Sequence, residues 1–296
     1  MKTKDLDYFC ALVENRNYTM VAQQFLVSQP AITQAIQRLE REFDAKLVVQ
    51  DRVHQQTKIT RLGLLLYKNA KLIMHQINVT HREIDNAKQV KIKFGLPPIL
   101  GRICFPKVAG ELLQKGLLQQ LDIIENGSNQ LTKDVENGDV DIALLASTLP
   151  IQNDKLDAIQ LDTRPFSIVV SPASALANLK QVSFQELAEQ KFISLTEKYI
   201  HHRAFMNYCS YADVKPAIIY RTPDISWIKG LIAANLGVAF LVKDVINEHD
   251  GLICLEITDH ILDAFNISLV MRTGYIPSDL EMEVINCLLK LKVVHK

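Results

Sequence analysis

The sequence predicts an all-α helix-turn-helix domain in its first sixty residues, then one long helix, then an α/β domain over its last two hundred residues. Three observations lead to this division. Apolar residues recur at helical spacing in short segments before residue 44, no proline interrupts residues 61–88, and strand and helix patterns alternate after residue 90. A chain of 296 residues is also long enough for two or three domains.

Composition and charge exclude several classes of protein. The chain is 48% hydrophobic and 22% charged, and no stretch approaches the eighteen uncharged apolar residues of a membrane span. The five cysteines form no C-x-x-C pair, and charged residues occupy the place of a secretory apolar segment, so we expect a cytoplasmic protein without disulfides or a cysteine-based zinc site. Residues 1–90 hold 13 Lys and Arg against 9 Asp and Glu, so only this part is expected to meet a polyanion.

Three short helices are predicted in the first sixty residues. The first spans about 4–14 and is broken at residues 15–17, and the second spans 19–26, with Asn17 or residues 18–19 as its N-cap. The third spans 29–43, because Ser28 is a good N-cap and Pro30 is tolerated in a first helical turn.

The third helix has two contrasting faces. Its apolar stripe consists of Ile32, Ile36, Leu39 and Phe43, at the spacing of a buried helix face. A second, polar face carries Gln29, Pro30, Thr33, Gln34, Gln37 and Arg41. Glutamine can pair with adenine in the major groove, and threonine can contact bases or phosphates. The pattern alone leaves two interpretations open, a DNA-reading helix-turn-helix and a small helical bundle with a solvated face.

Several motifs of this region resemble the DNA-binding domain of LysR-type transcriptional regulators. They are Asp7-Tyr-Phe9, Asn17-Tyr-Thr-x-x-Ala22, Val27-Ser-Gln-Pro-Ala-Ile-Thr33-x-x-Ile36-x-x-Leu39-Glu40 and Ile59-Thr60-x-x-Gly63. The resemblance implies a winged domain whose wing is a β-hairpin at residues 47–58, near the minor groove. It further implies that bases are contacted by Gln29, Pro30, Thr33 and Gln34, with Gln37 on the same face. It implies that phosphates are contacted by Thr19, Ser28 and Arg52.

The chain departs from this family pattern at three positions. Asp44 stands where the family usually has Gly, Val48 where it has Phe, and Gln50 where it has Arg. We expect Arg52 to replace the phosphate contact that Gln50 lacks. Arg38 and Arg41, which have acidic neighbours in the sequence, are expected to be solvated charges.

Residues 61–88 are predicted to form one helix of about 42 Å. Leu62, Leu66, Ile73, Ile77 and Ile84 recur along it at helical spacing, opposite a polar face. A core helix of a globular domain is one interpretation, but the length favours a dimerising helix. The family resemblance implies the same, since its linker helix pairs two DNA-binding heads.

The last two hundred residues repeat the order of strand and helix. Strands at 90–96, 121–125 and 138–145 alternate with helices at 101–115 and 129–137, which predicts a parallel, doubly wound sheet. A second such series follows, with strands at 166–171, 192–195, 217–220 and 237–242, and the segments 267–271 and 279–292 return to the first. This region resembles the LysR-type effector domain, except that Asn235 replaces a glycine. The resemblance implies a two-subdomain fold like type 2 periplasmic binding proteins, with domain bounds 1–60, 61–89 and 90–296 and subdomains of 90–162 with 267–296, and of 163–266.

A ligand is expected in the cleft between the two subdomains. The resemblance implies contacts from four loops, and we expect them from Leu100, Gly101, Ser128, Asn129, Thr196, His202, Arg203 and Thr222. The helix that starts at Ser128 suits a carboxylate, because its first N–H groups are free. The cationic cluster at 201–203 is either part of this site or an exposed surface.

The expected function is therefore DNA-binding transcriptional regulation in response to a small carboxylate. Asp51-Arg-Val-His54 and Lys4-Asp-Leu-Asp-Tyr-Phe9 look like regulators of malolactic fermentation genes in lactic acid bacteria, which implies malate as effector and an activating role. The expected partners are double-stranded promoter DNA, a homodimer or homotetramer, and RNA polymerase, with no cofactor or metal. No G-x-S-x-G, H-E-x-x-H or P-loop motif suggests an enzyme. The alternative is a solute-binding or ligand-sensing α/β protein without DNA-binding activity.

Overall fold

The computed structural model describes residues 1–51, 56–89 and 91–293, apart from the side chains of residues 50, 51 and 56. Contacts divide the chain into two units, Met1–Ile84 and Asp85–Lys296. Among the described residues, no helix has both the length and the apolar character needed to cross a membrane. All five cysteines are free thiols.

The first unit is built from short helices and a β-hairpin. Its elements are α1 (Thr3–Asn15), α2 (Tyr18–Gln24), α3 (Gln29–Glu42), β1 (Val48–Asp51), β2 (Gln56–Ile59) and most of α4 (Arg61–Ala87). The three predicted helices are thus confirmed to within two residues at each end. Their apolar faces share one core, which includes Leu6, Phe9, Leu12, Val21, Ile32, Ile36, Leu39 and Leu47.

Local capping sets the turns between these helices. Arg16 adopts a left-handed conformation, with φ of 53°, and ends α1. The Asn17 side chain then accepts hydrogen bonds from the backbone N–H groups of Thr19 and Met20, at 2.9 and 3.1 Å, which starts α2. Leu26, also left-handed and 94% exposed, forms the turn before α3. This tight turn makes α2 and α3 a helix-turn-helix.

Phe43 corrects the predicted apolar stripe of α3. Ile32, Ala35, Ile36 and Leu39 are buried, whereas Phe43 is 47% exposed. The reason is that α3 ends at Glu42, so Phe43 is the C-cap and no longer follows the phase of the helix.

Two residues that stand where the family pattern has glycine adopt left-handed backbone conformations. Asp44 has φ of 44° and Asn235 has φ of 57°, each one residue beyond a helix C-cap. Around Asp44, the N–H of Ala45 donates to the Glu40 carbonyl, the closure of a Schellman motif. Asp and Asn tolerate this conformation better than other non-glycine residues, which explains why these two replace glycine here.

Close contacts join the hairpin to α4. The Thr60 hydroxyl donates to the Lys46 carbonyl at 2.7 Å and accepts the Gly63 N–H at 3.0 Å, so Thr60 caps the helix. A Cβ atom on Gly63 would lie 2.3 Å from the Leu47 carbonyl oxygen, so only glycine fits at this position. The Glu40 carboxylate accepts the Leu47 N–H at 3.0 Å and thereby ties α3 to the hairpin.

The first subdomain of the second unit surrounds a five-stranded sheet of order β4-β3-β5-β13-β6. Its elements are β3 (Ile92–Gly95), α5 (Pro98–Ile103), α6 (Phe105–Gln114), β4 (Leu121–Ile124), α7 (Ser128–Glu136), β5 (Ile142–Ser147), β6 (Leu156–Arg164), β13 (Phe265–Arg272) and α10 (Asp279–Leu289). Strands β3, β4 and β5 are parallel as predicted, but β13 is antiparallel to both β5 and β6. The predicted helix at 101–115 is two helices, because Pro106 starts a new helix after Cys104.

The second subdomain contains two hydrogen-bonded groups of strands, of order β11-β7-β12-β8 and β10-β9. Its elements are β7 (Phe166–Val170), β8 (Gln181–Val182), β9 (Lys191–Leu195), α8 (Ile200–Tyr211), β10 (Ala217–Thr222), α9 (Ile225–Ala233), β11 (Ala239–Val242) and β12 (Ile253–Ile257). A bridge between Phe192 and Val238 links the two groups. The chain crosses between the subdomains after β6 and again before β13, which leaves a cleft between them.

Candidate nucleic-acid interface and ligand cleft

The outward face of α3 presents amides and a hydroxyl. Gln29, Pro30, Gln34 and Gln37 are exposed, while Thr33 is half-buried and its hydroxyl donates to the Gln29 carbonyl at 3.2 Å. The opposite face of the same helix is packed into the core. The arrangement leaves the side chains able to form the bidentate and single hydrogen bonds by which proteins read base edges.

The two hydroxyls predicted to hold phosphates lie at helix starts. Ser28 is the N-cap residue of α3, is exposed, and makes no side-chain capping hydrogen bond. Thr19 is exposed in the first turn of α2. Helix N-termini favour anions, because their first N–H groups lack internal acceptors and carry the positive end of the helix dipole.

The arginines of this unit differ in role. Arg52 lies outside the described residues, and so does the side chain of Gln50, so their predicted part in the wing stays a prediction. Arg41 is exposed, as expected for a solvated charge.

The expectation of a solvated Arg38 is wrong. The Arg38 guanidinium donates two hydrogen bonds to the carboxylate of Asp5, of which the one from Nε is 3.1 Å. Asp5 is only 1% exposed, and the hydrogen bonds from Arg38 lower the pKa of its carboxyl group. Arg38 therefore holds α1 against α3, a role that its spacing in the sequence does not indicate.

A cleft of about 360 Å³ opens between the two subdomains of the second unit. The first subdomain contributes the start of α7 and the segment 146–153 after β5, and the second contributes residues 197–203. The subdomains touch beside this cleft, where a Cβ atom on Gly127 would lie 2.8 Å from the Lys198 carbonyl oxygen. The contact requires glycine at position 127.

Three of the eight predicted ligand contacts line this cleft, namely Ser128, Asn129 and Arg203. Ser128 is buried, and its Oγ accepts the Ala146 N–H at 3.0 Å, so its hydroxyl proton remains available to an acceptor. Asn129 and Arg203 are exposed and come from opposite walls. A donor from each subdomain therefore faces the same space.

The other five predicted contacts are placed elsewhere. Leu100 is fully buried in the hydrophobic core, and Gly101 packs over Leu96. The Thr222 hydroxyl accepts the Asp224 N–H at 3.1 Å. Thr196 and His202 adjoin the cleft-lining segment, and Thr196 Oγ1 and His202 Nδ1 are buried atoms without a hydrogen-bond partner among the described residues.

His201 is a core residue. Its Nε2 accepts the Val242 N–H at 3.3 Å, and its ring packs against Phe166 and Phe265. Burial lowers its pKa to about 3, so the ring is neutral at physiological pH. His201 therefore adds no positive charge to the predicted cationic cluster at 201–203, whereas Arg203 carries a fixed one.

Several residues of the cleft were missed by sequence reasoning. Ser147 lines it with a buried Oγ that has no partner among the described residues, and Glu197 and Tyr199 line the opposite wall. The sequence carried one usable signal, because residues that follow a buried parallel strand face the crevice at its carboxyl end. Ser147 is the last residue of such a strand.

The described residues contain no group of three or more His, Cys, Asp or Glu that could hold a metal ion. The cleft offers hydroxyls, three amides, one guanidinium and the N–H groups that start α7, beside the carboxylate of Glu197. Apart from this carboxylate, these are donors suited to an organic anion.

Comparison with known protein families accounts for nearly the whole described chain. Residues 3–64 match the bacterial regulatory helix-turn-helix protein, lysR family, and residues 86–291 match the LysR substrate binding domain. One similar curated relative is the malolactic fermentation system transcriptional activator of Lactococcus lactis subsp. lactis. It is 30% identical over 293 residues, which cover 99% of each chain.

Solved structures share the fold. Full-length BenM has a TM-score of 0.56 at 20% identity, with 98% of this chain and 96% of that chain covered. The effector binding domain of QuiR in complex with shikimate has a TM-score of 0.59 at 16% identity, with 68% of this chain and 96% of that chain covered. At these identities the likeness concerns the fold alone.

Proposed function

We propose that this chain, which belongs to the LysR family of DNA-binding transcriptional regulators and has a ligand-binding domain, is a sequence-specific regulator. We further propose that a small hydroxycarboxylate controls it, with malate as the first candidate. The observation that carries the DNA-binding half is the exposed polar face of α3, placed behind a tight turn. The effector half rests on the donors that meet in the cleft. Membership of a family of transcriptional regulators also argues against an enzymatic role for this chain.

On the DNA, we assign α3 to the major groove. Gln29, Gln34 and Gln37 are exposed amides on the face opposite the core, with Pro30 and Thr33 beside them, so they can approach base edges together. Thr19 and Ser28 are assigned to the phosphates, since their hydroxyls lie where helix starts favour anions. Arg52 is assigned to the wing contact.

Two substitutions separate base reading from phosphate binding. Gln29→Ala should cost about 1–3 kcal/mol at the cognate site and little on unrelated DNA. Ser28→Ala should weaken binding to both DNAs to a similar degree. Fluorescence anisotropy on the protein's own upstream DNA and on a scrambled duplex measures both, with exposed Gln114→Ala in the second unit as the matched control. Equal losses for Gln29→Ala on the two duplexes would contradict the assignment.

In the cleft, we propose that one carboxylate of the effector pairs with Arg203 and that another lies at the start of α7. The Ser128 and Asn129 N–H groups are in the first turn, where a helix has no internal acceptors. The hydroxyls of Ser147 and Thr196, which have no hydrogen-bond partner in the described part of the chain, can donate to the same anion. Glu197 on the cleft wall can accept the hydroxyl of a hydroxy acid such as malate.

Calorimetry of the full chain with L-malate, D-malate and succinate tests this site. We expect L-malate to bind best, since succinate lacks the hydroxyl that Glu197 would accept. Arg203→Gln and Ser128→Ala should weaken malate binding, while Arg221→Gln, an exposed arginine on β10 outside the cleft, should not. Malate binding that is unchanged in Arg203→Gln and Ser128→Ala would show that malate does not bind at this site. A neutral or cationic effector would overturn the proposal that the cleft binds an anion.

The regulator is further proposed to act as a homodimer or homotetramer. Along α4, exposed Leu62, Leu65, Leu72, Ile73 and Ile84 lie within about 120° of one another around the helix axis. A 27-residue helix with such a stripe is covered most simply by the same helix of a second copy.

A separate exposed apolar surface on the second unit provides a second contact between copies, as a tetramer needs. Its members are Ile219, Tyr220, Trp227 and Leu236, with exposed fractions between 41% and 59%. A patch of this kind on a soluble chain usually marks an interaction site.

The direction of regulation is proposed from the relative named above, whose printed name is that of an activator. Activation would require contact with RNA polymerase at the promoter. In vitro transcription from the protein's own upstream DNA, with and without L-malate, tests this. A rise in transcript with malate supports activation, and a fall would show repression.

A further inference from the structure

Asn86, in the last turn of α4, is a polar residue whose side-chain amide is buried and hydrogen-bonded. It is 9% exposed, although the residues on either side of it in the helix are exposed. Its Nδ2 donates to the Gly138 carbonyl and to Oδ1 of Asp141, both at 3.0 Å, and its Oδ1 accepts a hydrogen bond from Lys93 Nζ at 2.8 Å. Both donors of the amide are thus used, and so is its acceptor oxygen.

The partners of Asn86 are themselves fixed by the fold. Asp141 is 5% exposed, its Oδ2 accepts the Lys93 N–H at 2.9 Å, and its own N–H donates to the Lys93 carbonyl at 3.0 Å. Gly138 has φ of 74° and follows Asn137, the C-cap residue of α7. Asn86 therefore joins the last turn of α4 to the C-terminal end of α7 and to the strand β3.

Helix α7 extends from this contact to the cleft. It begins at Ser128, which lines the cleft, and its nine residues span about 14 Å. Leu131 and Val135, both fully buried, pack its inner face onto the sheet, where a Cβ atom on Gly95 would lie only 3.1 Å from Leu131 Cδ2. Because closely packed elements shift as units, a displacement at the cleft end of α7 reaches the end that Asn86 contacts.

We propose that Asn86 is the positioning residue through which the ligand cleft controls helix α4. This inference rests on the proposed effector site and names the route by which that site acts. When a ligand at the start of α7 shifts this helix, the last turn of α4 either follows or leaves the Asn86 amide buried without its partners, which is unfavourable.

The consequence concerns DNA binding, because α4 begins at Arg61 in the first unit and ends at the Asn86 contact in the second. The position of its last turn then differs between the ligand-free and the ligand-bound chain, as a population shift requires. Effector and DNA should therefore change the affinity of each other by the same factor, and Asn86 should set the size of that factor.

Two variants of α4 test this coupling with the effector. Asn86→Ala removes the buried amide, and Asn78→Ala, the matched control, removes an exposed amide from the same helix about two turns earlier. In the native protein and in Asn78→Ala, saturating L-malate should change the dissociation constant of promoter DNA about fivefold or more, as measured by fluorescence anisotropy. In Asn86→Ala the change should fall below about 1.5-fold, although calorimetry should still detect malate binding.

A residue that only stabilises the fold would leave this factor unaltered. A malate effect on DNA affinity that is as large in Asn86→Ala as in Asn78→Ala would therefore overturn the proposal.

A second test needs neither malate nor DNA. Gly127→Ala acts at the cleft end of α7, because a Cβ atom there would lie 2.8 Å from the Lys198 carbonyl oxygen. Hydrogen exchange followed by mass spectrometry reports on the last turn of α4, residues 83–89. Gly127→Ala should change the exchange rate of these amides at least about threefold in the native background and less than about 1.5-fold in the Asn86→Ala background. Equal changes in both backgrounds, or no change in the native background, would overturn the proposal.

Lys93→Met provides a milder variant in case Asn86→Ala does not fold. It keeps an unbranched side chain of similar length on β3 but removes one hydrogen bond of the Asn86 amide. Both couplings should then lie between those of the native protein and those of an uncoupled chain. Couplings in Lys93→Met that equal the native ones would count against a route through this amide.

The two tests separate this inference from the proposed effector. If malate does not bind, the effector proposal fails, while an exchange effect of Gly127→Ala that requires Asn86 still supports the route through α7. If malate alters DNA affinity equally in Asn86→Ala and in the native protein, the effector proposal stands and the route through Asn86 is refuted.

Discussion

The Asp5–Arg38 pair makes the stability of the first unit depend on one arginine of α3. The Asp5 carboxylate is 1% exposed and accepts hydrogen bonds from Arg38 and from the Lys2 N–H, while the Arg38 side chain is 33% exposed. Removal of one partner from a buried pair costs about 3–5 kcal/mol, because the remaining charge is buried alone. Since Arg38 is partly solvated, we expect Arg38→Gln to lower the free energy of unfolding by about 2 kcal/mol.

Hydrogen exchange followed by mass spectrometry resolves this effect within the full chain. A loss of about 2 kcal/mol corresponds to roughly 30-fold faster exchange of the slowest amides in α1 and α3. Arg41→Gln is the matched control, since among the described residues its guanidinium Nε contacts only the Gln37 carbonyl, at 3.3 Å, on an exposed face. We expect less than about 0.5 kcal/mol from that change.

The effect should also depend on pH. Because the pKa of Asp5 is lowered in the folded protein, the pair stabilises the fold above the ordinary carboxyl pKa and ceases to do so as pH falls through the lowered value. The difference between native protein and Arg38→Gln should therefore shrink toward pH 3. Equal exchange rates in Arg38→Gln and Arg41→Gln at pH 7, or a difference that grows in acid, would show that the Asp5–Arg38 pair does not stabilise the first unit.

Three further changes test other parts of the structure. Asp44→Gly should stabilise the first unit by about 0.5–1 kcal/mol, measured as slower exchange in α3, because glycine removes the cost of the left-handed conformation; unchanged or faster exchange would count against it. Gly127→Ala should lower the affinity for L-malate at least about fivefold in calorimetry, since the new methyl group must push the Lys198 carbonyl away and hold the cleft open; native affinity would show that the contact does not control closure. Trp227→Glu should lower the oligomeric state measured by sedimentation velocity without a change in the circular dichroism spectrum. An unchanged oligomeric state would show that this surface is not a contact between copies.

Periodicity made the helices of the first unit predictable, and local rules failed only where a helix ends. Ile32, Ile36 and Leu39 lie on one buried face as their spacing predicted. Phe43 satisfies the same spacing but follows the last helical residue, and spacing alone does not reveal that end. Asp44 gave the missing signal, because a residue that replaces glycine in the family pattern marks a left-handed C-terminus.

Long-range partners were not predictable from the sequence. Arg38 was expected to be solvated because its sequence neighbours are acidic, yet its partner Asp5 lies 33 positions away. Strand β6 was likewise missed, since Leu156–Arg164 mixes charged and apolar residues and is stabilised mainly by pairing with β13. Pairing and ion pairs between distant segments depend on the fold, which local patterns do not encode.

The residues that line the cleft were likewise only partly predictable from the sequence. Ser128, Asn129 and Arg203 were predicted because they lie at helix starts and loops that a family resemblance singles out, and they do line one cleft. Leu100 follows a strand end in the sequence, but its side chain turns inward to the core. Ser147 and Glu197 carry no motif, and only the approach of the two subdomains brings them to the same space.

Selection of DNA from a randomised library, followed by salt titration of the enriched duplex, tests whether this chain reads DNA through α3. We expect an interrupted palindrome, bound by an oligomer through α3, with an affinity that falls by orders of magnitude between about 50 and 200 mM salt as phosphate-bound counterions are released. In Gln29→Ala the enriched half-site should become less specific at one position. No enriched motif, or binding that salt does not weaken, would contradict the claim that this chain reads DNA through the exposed face of α3.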